Sequence, residues 1–236
     1  YMNYKEVIEA KYNREAWQQL LHDIFLNKVQ FYNSTSEVKV NSRLAKSALY
    51  IGRISLSDGE SLGIYEVELA DKVDIERNKR GIRDMLTKDW KDMGHAGAFM
   101  FCYRKNESVL RFSYVSETWG FNKKGDYEKL STNTKRYTYL LGEGRGCRTA
   151  IEQFNALKDS KQSLSDVTAA FSVEALTKQF YKDLFDWYQW AVDPASGVYF
   201  PNNTSTEDDD REDIETKIIR MITRIMFVWF IKQKEL

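Results

Sequence analysis

The stretch ALYIGRISLSDGESLGIYEVELA, residues 48 to 70, limits the fold more than any other part of the chain. Two runs rich in β-branched and aromatic residues flank Asp58-Gly59, a dipeptide that suits a tight hairpin because both residues tolerate positive φ. An isolated hairpin is marginal in water, so this one demands a larger sheet and an apolar cover. A two-residue turn at Asp58-Gly59 makes residues whose numbers sum to 117 face one another, which sets Glu66 opposite Ile51 and Glu68 opposite Leu49. Side chains alternate along a strand, so Glu66 and Glu68 share one face.

The neighbouring segments supply that cover. In NREAWQQLLHDIFLNKV, residues 13 to 29, Trp17, Leu20, Leu21, Ile24, Phe25 and Val29 recur at helical spacing behind Asn13, a suitable N-cap. A polar loop separates this helix from the hairpin. Residues 74 to 92 read as a second helix, and AGAFMFCYR, VLRFSYVSE and KRYTYLLG as three more strands. The order α-β-β-α-β-β-β predicts an α+β domain over residues 1–150, a mixed β-sheet with flanking helices. From residue 151 to 236 strands give way to helices, at 149 to 158, 172 to 192 and 211 to 234. Between the last two, DPASGVYFPNNTSTEDDDRED holds both prolines and an acidic run, the composition of a mobile loop whose carboxylates complement the next helix's N-terminal dipole. That last helix is apolar all round at Phe227 to Ile231 with nothing after it to cover it, so the chain is expected to belong to something longer.

The chain of 236 residues is 42% hydrophobic, enough for a sizeable core. Its formal net charge is zero, but residues 1–150 hold 25 Lys/Arg against 20 Asp/Glu, and the rest 10 against 15. An anionic partner is favoured, weakly, by the first part alone. With only Cys102 and Cys147, and no basic-apolar signal at the N-terminus, a reducing cytoplasm is the expected compartment. The longest apolar run, Ile225 to Ile231, is too short to span a bilayer.

Glu66 and Glu68 are the candidate metal ligands and, with Asp58, the candidate catalytic set of a Mg²⁺-dependent nuclease. Nucleases of the P-D…(D/E)-x-K class project an acid and a lysine two residues apart from one strand; the acid binds Mg²⁺ and the lysine orients or activates water. Here position 68 holds glutamate where the lysine belongs, and the facing strand has no carboxylate. The competing arrangement pairs Glu66 diagonally with Arg53 and leaves Glu68 solvated. Asp58, Asp71 or Asp23 would have to complete an active set. Candidate phosphate contacts gather at Arg77, Lys79, Arg80 and Arg83, and at Lys123, Lys124, Lys129, Lys135 and Arg136 among Trp119, Phe121 and Tyr127, although acidic neighbours make solvated faces an equal reading. Gly142, Gly144 and Gly146 precede a helix as in a cofactor loop, but no strand ending in an acid follows, so an interdomain turn is expected. His22 and His95 lack partners at metal-ligand spacing.

The segments ALYIGRISLSDGESLGIYEVELADKVDIERNKRGIRDML, RFSYVSE, KRYTYLLGEGRGCRTAIEQFNAL, AFSVEALTKQFYKDL and IRMITRIMFVWFIKQK, whose order and spacing cover residues 40 to 236, together resemble the N-terminal part of large bacterial restriction-modification methyltransferases of the type IIG kind. The resemblance implies a restriction-endonuclease-like first domain engaging DNA, then a helical connector leading to a methyltransferase domain that binds S-adenosylmethionine. Neither Asn-Pro-Pro-Tyr nor a methyl-donor glycine loop occurs here, so methyl transfer is expected to lie beyond Leu236. A DNA-engaging or regulatory region without complete catalytic machinery is the leading expectation. An active Mg²⁺ endonuclease and a non-catalytic scaffold for the methyltransferase are its alternatives.

Overall fold

In the computed structural model, which describes residues 2–76, 79–117, 119–121, 127–129, 135–171, 173–198 and 208–234, the expected hairpin forms, but on a different turn. Strand β2 (Ala45–Ser55) pairs antiparallel with β3 (Ser61–Leu69). The Leu56 amide donates to the Glu60 carbonyl at 2.8 Å and the Gly59 amide to the Leu56 carbonyl at 3.2 Å. Three residues, Ser57 to Gly59, therefore close the loop, with Gly59 at φ +87°, where a side chain would be strained. The longer loop pairs Ser55 with Ser61, and an extra residue between Tyr50 and Gly52 shifts the ladder again. Glu66 lies opposite Leu49 and Glu68 opposite Ser47, which corrects the expected pairing with Ile51 and Leu49.

The hairpin sits inside a six-stranded mixed sheet of order β1-β2-β3-β4-β5-β8. β1 is Val29–Glu37, β4 Gly97–Tyr103, β5 Val109–Ser116 and β8 Lys135–Gly142, while β6 (Trp119–Phe121) and β7 (Tyr127–Lys129) form a separate pair. Only β3 and β4 run parallel; the other neighbours are antiparallel. A parallel pair needs a crossover, and α3 (Lys79–Asp92) supplies it, starting later than the expected residue 74. β1 occupies the stretch read from sequence as a polar loop. Its side chains are mostly half-buried or exposed and its register breaks between Phe31 and Ser36, so its composition is that of an irregular edge.

Both faces of the sheet are covered. On one face α1 (Tyr4–Ile8), α2 (Arg14–Phe25), α4 (Arg148–Asp159) and α5 (Leu164–Ala170) enclose Trp17, Phe25, Phe99, Phe112, Phe154 and Phe171. Trp17 stacks on Phe112 at 6.0 Å between centroids and meets Phe154 edge-on at 5.9 Å. Each such phenylalanine contributes about 1.5–3 kcal/mol by leaving water. On the other face Ile82, Leu86 and Trp90 of α3 cover Tyr65, Val67, Met100 and Cys102. β3 is accordingly buried along nearly its whole length.

Because α4 and α5 complete the first core, the first compact unit is Tyr1–Ala175, and the boundary falls well past residue 150. The second unit, Leu176–Leu236, holds most of α6 (Val173–Val192) and all of α7 (Asp208–Lys234). Within it Ala191 and Ile218 are buried, whereas Phe185 and Trp190 on α6 and Phe227 to Phe230 on α7 are exposed. Residues 199–207 of the expected mobile loop lie outside the described residues; of the rest, Pro194–Ser196 form a 3-10 turn and Asp208 onward belongs to α7. Among the described residues no helix is long and apolar enough to cross a membrane, and Cys102 and Cys147 are free thiols.

His95, just ahead of β4, ties the two strands of the hairpin together. Its Nε2 lies 3.0 Å from the Tyr50 hydroxyl and its Nδ1 2.8 Å from Ser61 Oγ. Burial holds its pKa below the usual histidine value, Arg53 adds to the effect and Asp89 opposes it. The folded state thus favours the neutral ring. Its contribution is complete above the unfolded value of about 6.5 and is lost as pH falls below it, because the unfolded chain then binds a proton the folded one resists. We predict that the urea midpoint of the first unit falls between about pH 7.5 and pH 5 and that His95→Gln flattens this dependence.

Candidate functional site

Along β3, the face that carries Leu62 and Ile64 under the first core continues into Glu66 and Glu68. Their Cβ atoms are about 7 Å apart along the strand. The parallel ladder sets Glu66 beside Phe101 and Glu68 beside Tyr103 at the carboxyl ends of β3 and β4. Both glutamates are buried, at 4% and 9% exposure. A carboxylate in that position needs a cation or hydrogen-bond donors, and here the chain supplies the cations.

Arg14, the first residue of α2, reaches across 52 positions of sequence and donates through Nη2 to Glu66 Oε2. The hydrogen bond to Glu66 raises the Arg14 pKa further. Lys105, two residues past Tyr103, places its Nζ 3.4 Å from Glu68 Oε2. Tyr12 closes the site from the connection between α1 and α2, its ring 4.8 Å from Tyr103 and 5.6 Å from Phe101. The Tyr12 hydroxyl is buried close to Glu66, within reach of its carboxylate but without a well-formed hydrogen bond. Burial first, and the nearby Glu66 second, hold its proton on far above the ordinary phenol range. Burial also pushes the Tyr103 phenol up, to about 12, reinforced by Glu66 and Glu68 and opposed by Arg14.

The other acids proposed from sequence do not join this pair. Asp58 stays at the hairpin tip, where Oδ2 accepts from the Leu164 amide at 2.8 Å and Oδ1 from the Glu60 amide at 3.3 Å. With β3 starting at Ser61, that places it about 17 Å of strand from Glu66. Asp71 is an exposed partner of Lys46 at 2.6 Å. Asp23 accepts from the Tyr4 hydroxyl at 2.5 Å and from Lys158 at 2.8 Å. The expected Glu66–Arg53 pairing is replaced by Glu66–Arg14; Arg53 acts instead on His95 and Tyr50, across the sheet. Among the described residues no three His, Cys, Asp or Glu side chains converge as a metal site. With Arg14 seated on Glu66, the pair as it stands does not fit Mg²⁺.

Of the candidate phosphate contacts, Arg77, Lys123 and Lys124 lie outside the described residues. Lys79 and Arg80 fall in α3, Lys129 in β7, and Lys135 and Arg136 in β8, with side chains that are not described. Arg83 is bound to its neighbour Asp84 at 2.6 Å. Gly142 and Gly144 have positive φ and turn the chain into α4. At Gly142 a Cβ would also lie 2.0 Å from the Ser108 carbonyl oxygen, so the glycine serves a close backbone approach. α5, and no strand, follows α4, so there is a turn and not a cofactor loop, but it lies within the first unit and not between domains as expected.

No family model and no curated protein matches this chain.

Tyr12, Arg14, Tyr103 and Lys105 carry no spacing signal that points to Glu66 and Glu68. Lys105 becomes legible only once the β3–β4 register is known. The poorly bonded Tyr12 hydroxyl generates a prediction: Tyr12→Phe, which keeps the ring contacts and deletes a buried hydroxyl, should leave stability unchanged or raise it by about 1 kcal/mol. Tyr12→Ala, which also removes the ring, should cost about 3 kcal/mol. Chemical denaturation of both variants checks the pair.

Proposed function

We propose that the first unit is the DNA-engaging, nuclease-like N-terminal region of a restriction-modification methyltransferase of the type IIG kind, acting in the cytoplasm, and that its acidic site does not cleave as it stands. The observation that carries this reading is the Glu66–Glu68 pair, buried side by side at the carboxyl end of β3 and neutralised by Arg14 and Lys105. Two buried carboxylates on one strand face are a costly arrangement for a sheet, and metal-dependent phosphodiester chemistry needs carboxylates to hold its ion. The order α2-β1-β2-β3-α3-β4 has one strand more than the α-β-β-α-β order read from sequence, with the hairpin, α3 and β4 in the expected succession, and the sequence resemblance over residues 40 to 236 supports the same reading. Methyl transfer with S-adenosylmethionine belongs, in this reading, to a downstream domain.

Electrostatic support is modest. With the boundary at Ala175 the first unit holds 27 Lys/Arg against 24 Asp/Glu, a smaller surplus than residues 1–150 have alone. Binding to DNA is therefore weak and led by phosphate contacts. One observation favours the alternative of an active endonuclease: Lys105 brings to Glu68 the ammonium that the E-x-E sequence lacks. In that case Glu66 and Glu68 would hold Mg²⁺ and Lys105 would orient water.

Plasmid nicking in Mg²⁺ or Mn²⁺ separates these readings. We expect none from the natural chain, and metal-dependent nicking abolished by both Glu66→Ala and Lys105→Ala would establish the alternative. Duplex binding should weaken with salt with a log-log slope of about 0.9 per phosphate contacted. Affinity unchanged by reversing charge at Arg80 and Arg83 and at Lys123 and Lys124 would favour a scaffold that touches no DNA.

A further inference from the structure

The second unit carries an apolar face that its own two helices leave uncovered. Among the described residues, thirteen large apolar side chains of α6 and α7 are more than a third exposed, including Phe185 and Trp190 on α6 and Ile225, Phe227, Trp229 and Phe230 on α7. The aromatic ones offer roughly 150–250 Å² each when free, so the exposed part amounts to on the order of 1,000 Å². The largest apolar patch of a monomer is usually about 300–600 Å², and a stable interface takes about 800 Å² from each partner. The area therefore suits a standard interface.

The charge pattern of α7 selects the partner. From Asp208 to Glu215 the helix holds six acids and Arg211, a net charge of −5; from Thr216 to Lys234 it holds five bases and no acid, a net charge of +5. The helix dipole accounts for charges in the first and last turns only, whereas Lys217, Arg220 and Arg224 stand mid-helix. Laid antiparallel on a second α7, each acidic segment meets the other's basic one; laid parallel, like meets like. The acidic end also lies beside the end of α6, since Arg211 Nη2 donates to the Val192 carbonyl at 3.4 Å. Full antiparallel overlap thus brings Trp229 and Phe230 of one copy toward Trp187 and Trp190 of the other.

We propose that α6 and α7 form a homodimer interface, in which two copies pair about a twofold axis with their α7 helices antiparallel and their exposed aromatic faces covered. A twofold contact requires a surface complementary to itself, and equal and opposite charge on the two segments of one helix meets that requirement. The pairing is independent of the nuclease-like reading.

Sedimentation equilibrium of the full chain should give the mass of two chains, with a dissociation constant of about 10 μM or tighter. A monomer at every concentration, or a higher oligomer, would overturn the proposal. Arg220→Glu with Arg224→Glu takes the basic segment from +5 to +1, and Glu212→Lys with Asp213→Lys takes the acidic segment from −5 to −1. All four side chains are exposed, so both double variants should keep the natural helical circular dichroism. Each alone should dimerise about tenfold or more weakly than the natural chain. An equimolar mixture should associate more tightly than either alone, because one intact acidic segment then meets one intact basic segment. Unchanged self-association of either variant, or a mixture no tighter than its components, would overturn the antiparallel pairing. Ile225→Asp with Phe227→Asp should abolish the dimer, and a dimer that survives it would show that another surface is used.

Discussion

A buried carboxylate on β3 and the arginine that neutralises it hold the carboxyl end of β3 and the start of α2 together. Glu66 is placed by the same two-residue periodicity that buries Leu62 and Ile64, and it inherits their lack of water. An isolated charge there would cost several kcal/mol, so something must compensate it. Arg14 does, and in doing so fixes where α2 begins over the sheet. Tyr12 and Tyr103 then close around the pair, with their protons held on by burial and the adjacent charges.

This arrangement separates the two halves of one strand by chemistry. Toward the hairpin, β3 contributes to an aromatic core anchored by Trp17, Phe112 and Phe154; toward its carboxyl end it carries acids. The rigid half positions the charged half, which is how a site is built on a scaffold rather than on a loop. Retaining two acids and a poorly bonded hydroxyl where apolar side chains would be more stable is the kind of cost associated with function. That association motivates reading the site as a nuclease derivative, and the chain's own cations motivate reading it as closed.

Much of the sheet was legible in the sequence because its pattern is local. β4, β5 and β8 stand where alternation and β-branched content put them, and Asn13 caps α2 through the Ala16 amide at 2.9 Å. That Glu66 and Glu68 share a face was legible too, since it depends only on alternation. Their partners were not. The register hinged on whether the turn used two residues or three and on an extra residue at Ile51, neither of which periodicity encodes. β1 is not legible because Asn33, Ser34 and Thr35, on an irregular edge, have the composition of a turn. The first compact unit runs past residue 150 because Phe154 and Phe171 fill its core, a role that the amphipathic pattern of α4 and α5 does not reveal. Arg14 is not legible as a partner of Glu66 because only tertiary structure brings the two together.

The central claim is that Arg14 is needed because Glu66 is charged and buried, and a double-mutant cycle on the full chain measures this directly. Urea unfolding, with amide exchange in β3 and β4 to localise the change, would compare Arg14→Ala in the natural background and in Glu66→Gln. Since Arg14 is 40% exposed and water screens part of the interaction, we expect it to cost about 2 kcal/mol in the natural chain, and under about 0.5 kcal/mol once Glu66 is neutral. An equal loss in both backgrounds would contradict the account, because Arg14 would then be acting through contacts that do not involve the Glu66 charge.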